Sequence, residues 1–211
     1  HGTTDANSGV APGQSNPSAS TGTSTSSSTG SDSNGDGDSG DSKPIMLDLD
    51  GDGVELVPLE ESTAFFDING DGYRERMAWA SADDGFLAYD KDGDGRIAAH
   101  DELSFVSYVE GARTDLEGLR HFDTDGDGLL DPDDAEWSQF RVWQDLDQDG
   151  ESDPAELRSL DEEGIESISL TSDGVERKVA GNTVFGEGEY VTRDGVEVFW
   201  DVSLRVGSRK E

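Results

Sequence analysis

Five segments of the chain read Asp-x-(Asp/Asn)-x-Asp-Gly, beginning at Asp48, Asp67, Asp90, Asp123 and Asp145. Each crowds three oxygen-bearing side chains into six residues and then places a glycine where the backbone must turn. Such packing of like charge is unfavourable unless a cation sits among the oxygens. The pattern is the front half of an EF-hand-type loop, whose ligands fall at positions 1, 3, 5, 7 through a carbonyl, 9, and 12. The chemistry implied is binding of a hard divalent cation, calcium.

The segments differ in completeness. The fifth offers Asp145, Asp147, Asp149, the Glu151 carbonyl, Asp153 at position 9 and Glu156 at position 12, the full set for a bidentate closing glutamate. The fourth offers Asp123, Asp125, Asp127, the Leu129 carbonyl, Asp131 and a shorter closing acid, Asp134. The third offers Asp90, Asp92, Asp94 and the Arg96 carbonyl, closed by Asp101 or Glu102. The first two lack an acid at position 12. Asp48, Asp50, Asp52 and the Val54 carbonyl run on to Leu59; Asp67, Asn69, Asp71 and the Tyr73 carbonyl run on to Ala78. Each needs a carboxylate from elsewhere. Glu55, Glu60, Glu61 and Glu75 are near in sequence, and Asp83-Asp84 can arrive through space. The expectation is about three to five Ca²⁺ ions per chain, with Asp-Gly turn formation alone as the alternative for the first two segments.

Composition agrees with this chemistry. The 211 residues carry 49 acidic and 15 basic side chains, a formal charge of −34. That charge excludes nucleic acid as a partner and disfavours anionic membrane surfaces. There is no cysteine, hence neither a disulfide nor a thiolate metal site. Bound calcium can take the stapling role in a protein placed outside cells, where the ion is abundant. No apolar run is long enough to span a membrane, and no signal peptide is visible. The chain starts at His1, so a mature or trimmed product is expected. These readings place the protein in a secreted or cell-surface setting, with calcium as its ligand and other chains, or copies of itself, as candidate partners.

The elements that must position these turns are short. Residues 1–42 are Ser, Thr, Gly, Asn and Asp with almost no large apolar side chain, which predicts a disordered linker. Asp32 to Gly37 within it fits the loop pattern but has no apolar flank, and reads as solvated linker. From residue 43 to 207 apolar residues recur, consistent with one domain, followed by a tail at 208–211. Ile45-Met46-Leu47 and Ala64-Phe65-Phe66 read as strands feeding the first two turns. Met77-Ala78-Trp79 and Gly85 to Tyr89 continue that pattern. Helices are expected over 101–109, 115–122, 134–140 and 155–160, from apolar residues spaced three or four apart. Val196 to Val206 alternates with period two, preceded by the hairpin signal Arg193-Asp194-Gly195. The predicted class is α+β: a compact domain of short strands, calcium loops with short helices, and a C-terminal antiparallel β region. Two Met residues make no Met-rich target groove, so calcium is expected to act structurally and not as a sensing switch.

The run Pro44-Ile45-Met46-Leu47-Asp48-Leu49-Asp50-Gly51-Asp52-Gly53-Val54-Glu55 resembles the start of the calcium-dependent self-processing module of large bacterial RTX proteins, the FrpC type. So do Phe66-Asp67 through Gly72, Trp79 with Ala82 to Leu87, Arg141-Val142-Trp143-Gln144-Asp145, and Gly164-Ile165 to Leu170. The likeness covers about residues 43–206. It implies a module folded by calcium that cuts an Asp-Pro bond at its own N-terminal edge and links the resulting aspartyl anhydride to a lysine amine. Here the matching bond is Lys43-Pro44, and lysine has no carboxylate with which to attack its own carbonyl. Asp131-Pro132 and Asp153-Pro154 have their aspartates at loop position 9, where a ligand role is expected. The resemblance therefore carries over the fold and the calcium, and no catalytic activity is expected, with a calcium-activated self-processing module or a calcium-dependent subunit of a surface filament or matrix as the alternatives. No nucleophile triad, phosphate loop or zinc spacing adds another chemistry, and His1, His100 and His121 read as ordinary polar residues.

Overall fold

The computed structural model describes residues 43–209. The expectations for 1–42 and for the last two residues lie outside the described residues. In chain order the elements are β1 (Ile45–Leu47), β2 (Leu56–Val57), β3 (Phe65–Phe66), β4 (Glu75–Met77), β5 (Trp79–Ala80), β6 (Gly85–Tyr89), α1 (His100–Leu103), a 3-10 turn at Val106–Tyr108, α2 (Asp115–Leu119), β7 (Leu129–Leu130), and a second 3-10 turn at Trp137–Gln139. Then come β8 (Phe140–Trp143), β9 (Leu157–Ser159), β10 (Ile165–Ser172), β11 (Arg177–Val179), β12 (Asn182–Thr192), β13 (Val196–Ser203) and β14 (Val206–Arg209).

The α+β expectation is overturned: the described chain is mostly β, a curled antiparallel half-barrel with only two short helices. The main sheet has the order β7-β10-β12-β13-β1-β6-β8-β9, with β11 added beside β12. A three-stranded β14-β4-β3 sheet and the pair β2-β5 complete it. Of the expected helices, 101–109 shrinks to α1 plus a 3-10 turn, and 115–122 to the five residues of α2. The segment 134–140 is a 3-10 turn entering a strand, and 155–160 contains β9. Segments this short do not recover the cost of helix nucleation. Phe140-Arg141-Val142-Trp143 and Leu157 to Ser159 instead satisfy their backbone groups in the sheet, β8 lying between β6 and β9.

The central strands are buried on both faces, and their period of two feeds two cores. Ile45, Leu47, Leu87, Tyr89, Val142 and Phe199 face one core; Met46, Phe86, Ala88, Trp143, Val184 and Val202 face the other. In the second, Trp79 packs with centroids 4.7 Å from Phe86 and 5.4 Å from Trp143, both edge-on. The expected C-terminal strand is present but breaks at Leu204-Arg205: β13 pairs with β12 and β1, while β14 crosses to β4. The predicted hairpin turn closes β12 onto β13 through a Thr192 N–H to Gly195 carbonyl bond of 2.8 Å.

Candidate metal centres

Strand register decides which acids meet. Leu47 of β1 pairs with Gly85 of β6, so the residue after β1, Asp48, comes beside the residue before β6, Asp84. Ala88 of β6 pairs with Arg141 of β8, and Asp90, two residues further on and so on the same face, reaches Arg141 along the diagonal while its N–H donates to the Gln139 carbonyl. β8 then runs directly into Asp145.

Five carboxylate groups result, in each of which three side chains bring oxygens within 4.8 Å of one another: Asp48, Asp50 and Asp84; Asp67, Asp71 and Glu75; Asp90, Asp92 and Asp94; Asp123, Asp125 and Asp134; Asp145, Asp147 and Glu156. Each belongs to one of the five sequence segments. The acids missing at position 12 of the first two are Asp84 and Glu75, which the sequence offered only among several candidates. Asp84 was obscured because it is distant along the chain; Glu75 because it stands at position 9.

In three groups the closing acid clasps the turn in the same way. Glu156 accepts the N–H of Leu146 (2.9 Å) on one oxygen and of Asp153 (3.1 Å) on the other. Asp134 accepts from Thr124 (2.6 Å) and Asp131 (2.9 Å). Asp84, from another part of the chain, accepts from Leu49 (3.3 Å) and Glu55 (2.5 Å). Each clasp takes the N–H of the turn's second residue and that of its eighth or ninth, so loop one is a split version of loops four and five. At the third segment Glu102 accepts from Ala98 and Ala99, both at 2.9 Å, whereas Asp101 turns outward to Lys91. Glu102, not Asp101, therefore faces that turn.

The remaining predicted residues shape the turns. Asp52, Asp127, Asp149 and Asp153 lie outside the three-acid groups. Asp127 accepts from Leu129 N–H (2.8 Å) and Asp149 from Glu151 N–H (2.7 Å). Asn69 accepts from Asp71 N–H, Asp71 from Tyr73 N–H, and Asp94 from Arg96 N–H. Asp131 accepts from Asp133 N–H, and Val54 is buried. The Glu151 side chain pairs with Arg74 at 2.5 Å.

Burial raises the electrostatic stakes. Asp48, Asp84, Asp134, Asp145 and Glu156 are all buried, and none of the salt bridges among the described residues reaches them. Burial pushes the Asp84 carboxyl up to about 6 against the pull of its two N–H donors, with the Asp48 and Asp83 charges adding to the rise. Burial likewise raises Asp145, and it raises Glu102 together with the charges of Asp92 and Asp94. A divalent cation among these oxygens would reverse the sign of that interaction. The donor set is all oxygen, which fits a hard cation such as Ca²⁺.

The turns are wired into the fold. The Trp79 indole N–H donates to Asp145 at 2.8 Å, joining the aromatic core to loop five. Gly150, at φ +77°, lies so close to β3 that an added Cβ would meet the Phe65 carbonyl at 2.6 Å. Loops three and five meet at their eighth residues: Ile97 N–H donates to Ser152 Oγ at 2.7 Å, and that hydroxyl donates back to the Ile97 carbonyl at 3.3 Å. Neither Trp79 nor Ser152 carries a sequence signal for these roles.

The family model of the SPM domain matches residues 45–205, and the chain belongs to that family. It is also similar to iron-regulated protein FrpA of Neisseria meningitidis serogroup C, at 40% identity over 158 residues, which is 72% of this chain and 14% of FrpA. The chain thus matches only a small part of that relative's length. Both matches bear out the relationship to the FrpC-type module.

Proposed function

We propose that this chain is a calcium-dependent structural module of a secreted or cell-surface protein, with EF-hand-like loops that hold several Ca²⁺ ions and depend on them for folding. The observation that carries this reading is the repeated clasp. In loops one, four and five a buried carboxylate closes the turn through two backbone N–H groups while facing two further acids, with no basic side chain in salt-bridge contact among the described residues. Such an arrangement is costly when empty and favourable around a cation. Residues holding the ions are the three-acid groups, with position-7 carbonyls (Val54, Tyr73, Arg96, Leu129, Glu151) available to complete them. Calcium supplies fixed positive charge there and no reaction step. A calorimetric calcium titration is expected to return at least three equivalents, with a heat-capacity decrease from coupled folding. One equivalent or none would refute the reading.

Self-cleavage at the N-terminal edge is not part of this proposal. Pro44 is buried, its carbonyl accepting from Val202 N–H at 3.1 Å, and Lys43 directs its ammonium to the Arg113 carbonyl. The bond is held firmly, but Lys43 has no group able to attack its own carbonyl. Lys43→Asp is expected to supply the missing carboxylate, so that intact-mass analysis after calcium addition shows a fragment beginning at Pro44. An uncut Lys43→Asp protein that still binds calcium would show that more than this one side chain has been lost.

A further inference from the structure

Loop three differs from the other four in its leading aspartate. Asp48, Asp67, Asp123 and Asp145 each turn both oxygens to N–H groups of their own loop: Asp48 to Gly51 and Gly53, Asp67 to Asp71 and Gly72, Asp123 to Gly126 and Gly128, Asp145 to Gln148 and Gly150, at 2.7–3.0 Å. Asp90 keeps only a long bond of 3.4 Å to Gly95 N–H. Its other oxygen meets the Arg141 guanidinium at 3.2 Å, the Asp90 side chain being 3% exposed and that of Arg141 25%. Arg141 is itself anchored, its other terminal nitrogen donating to the carbonyls of Ser138 and Phe140, each at 2.8 Å. The loop carries a cation of its own: Lys91, half exposed, pairs with Asp101, and its ammonium lies 5.6 Å from the Tyr108 ring centroid. No salt bridge among the described residues reaches a leading aspartate of the other four loops.

We propose that Arg141 is a built-in counter-cation of loop three, competing with the metal for Asp90 and making this the weakest and last-filled of the five sites. The inference rests on the calcium reading above and adds to it the regulation of one site. A guanidinium that satisfies a nearly buried carboxylate lowers the gain from bringing in a second cation, and like charges within a few ångströms repel. Filling loop three means turning Asp90 away from Arg141 and back to its own turn, in the manner of the other four leading aspartates. Arg141 sits on β8, which runs directly into loop five, and loop five touches loop three through Ser152 and Ile97. Release of Arg141 by calcium at loop three is therefore transmitted to an element that also carries a stronger site. The result is a module with sites filled at low calcium for folding and one reserve site that responds at higher calcium.

Calcium titration calorimetry on the full chain tests this with Arg141→Gln and, separately, Lys91→Gln. The parent is expected to show one site weaker than the rest. Arg141→Gln should tighten that site by roughly tenfold or more while leaving the others unchanged, and Lys91→Gln, an exposed change that spares the core, should tighten it in the same direction by less. Asp90→Asn should remove the weak site and no other. A parent that binds no calcium would defeat the calcium reading itself. A parent that binds calcium, with a weak site that Arg141→Gln and Lys91→Gln leave unchanged or weaken, would overturn the competition and make Arg141 a positioning partner of Asp90.

Discussion

Individual carboxyl groups in this protein matter in proportion to how far they are taken from water. Asp201 on β13 is buried outside the metal groups, one of its oxygens without a hydrogen-bond partner. Burial lifts it to about 7, opposed by the Thr114 hydroxyl and the Leu116 N–H, and by the Lys43 ammonium. Asp115, wholly buried beside it, is lifted well above the usual range by burial and by the Asp201 charge. A carboxyl whose folded pKa exceeds its unfolded value favours the fold only while it keeps its proton. Stability from Asp201 is thus present below about 4 and lost as pH rises through about 7. Asp201→Asn is expected to match the parent near pH 4 and exceed it at pH 8, by an amount on the order of 4 kcal/mol at most. Urea unfolding in saturating calcium at both pH values measures this, and an undiminished pH slope would show the assignment to be wrong. At the same scale, Gln148 shows how a loop residue departs from glycine. Loops one to four have glycine at position 4, all at positive φ, whereas Gln148 holds φ +62°. Its side-chain amide donates to the Ala80 carbonyl at 2.9 Å and the Asp145 carbonyl at 3.1 Å, offsetting the left-handed strain.

At the scale of elements, the strand pairing makes a complete site from an incomplete loop. Because Leu47 faces Gly85, Asp84 reaches loop one without any local sequence relation to it. Asp84→Asn is expected to weaken one calcium site by tenfold or more and leave the other sites intact, which a titration of the variant would resolve. Retention of every affinity would detach Asp84 from loop one. What the sequence made legible is what neighbouring residues decide. The Asp triplets, the glycine turns and the strands entering them are local signals, and Ile45–Leu47, Phe65–Phe66 and Gly85–Tyr89 are where the pattern places them. Acids whose partners are fixed by register, such as Asp84, and cations such as Arg141 are set by pairing across the sheet and leave no mark on neighbouring residues. The helix expectation over 134–140 and 155–160 misled for a different reason. Windows of six or seven residues fit a helical face and a strand equally well, and pairing of β8 with β6, and of β9 with β8, decides in favour of the strand.

In a chain of charge −34, the acid-rich loops among the described residues lie around two apolar cores. Loops one, three and five leave the central strands β1, β6 and β8, so repulsion within those three acts on the middle of the main sheet, whereas loop two follows β3 and loop four follows α2. Each site occupied at a free calcium level about a hundred times its dissociation constant adds roughly 2.7 kcal/mol, and several together rival the net stability of an ordinary domain. The most direct measurement is far-ultraviolet circular dichroism with thermal melting, in excess EDTA and again in millimolar calcium. The account predicts loss of the β spectrum and of a cooperative melt in EDTA, and recovery of both with calcium. Identical spectra and melting curves in the two conditions would contradict it.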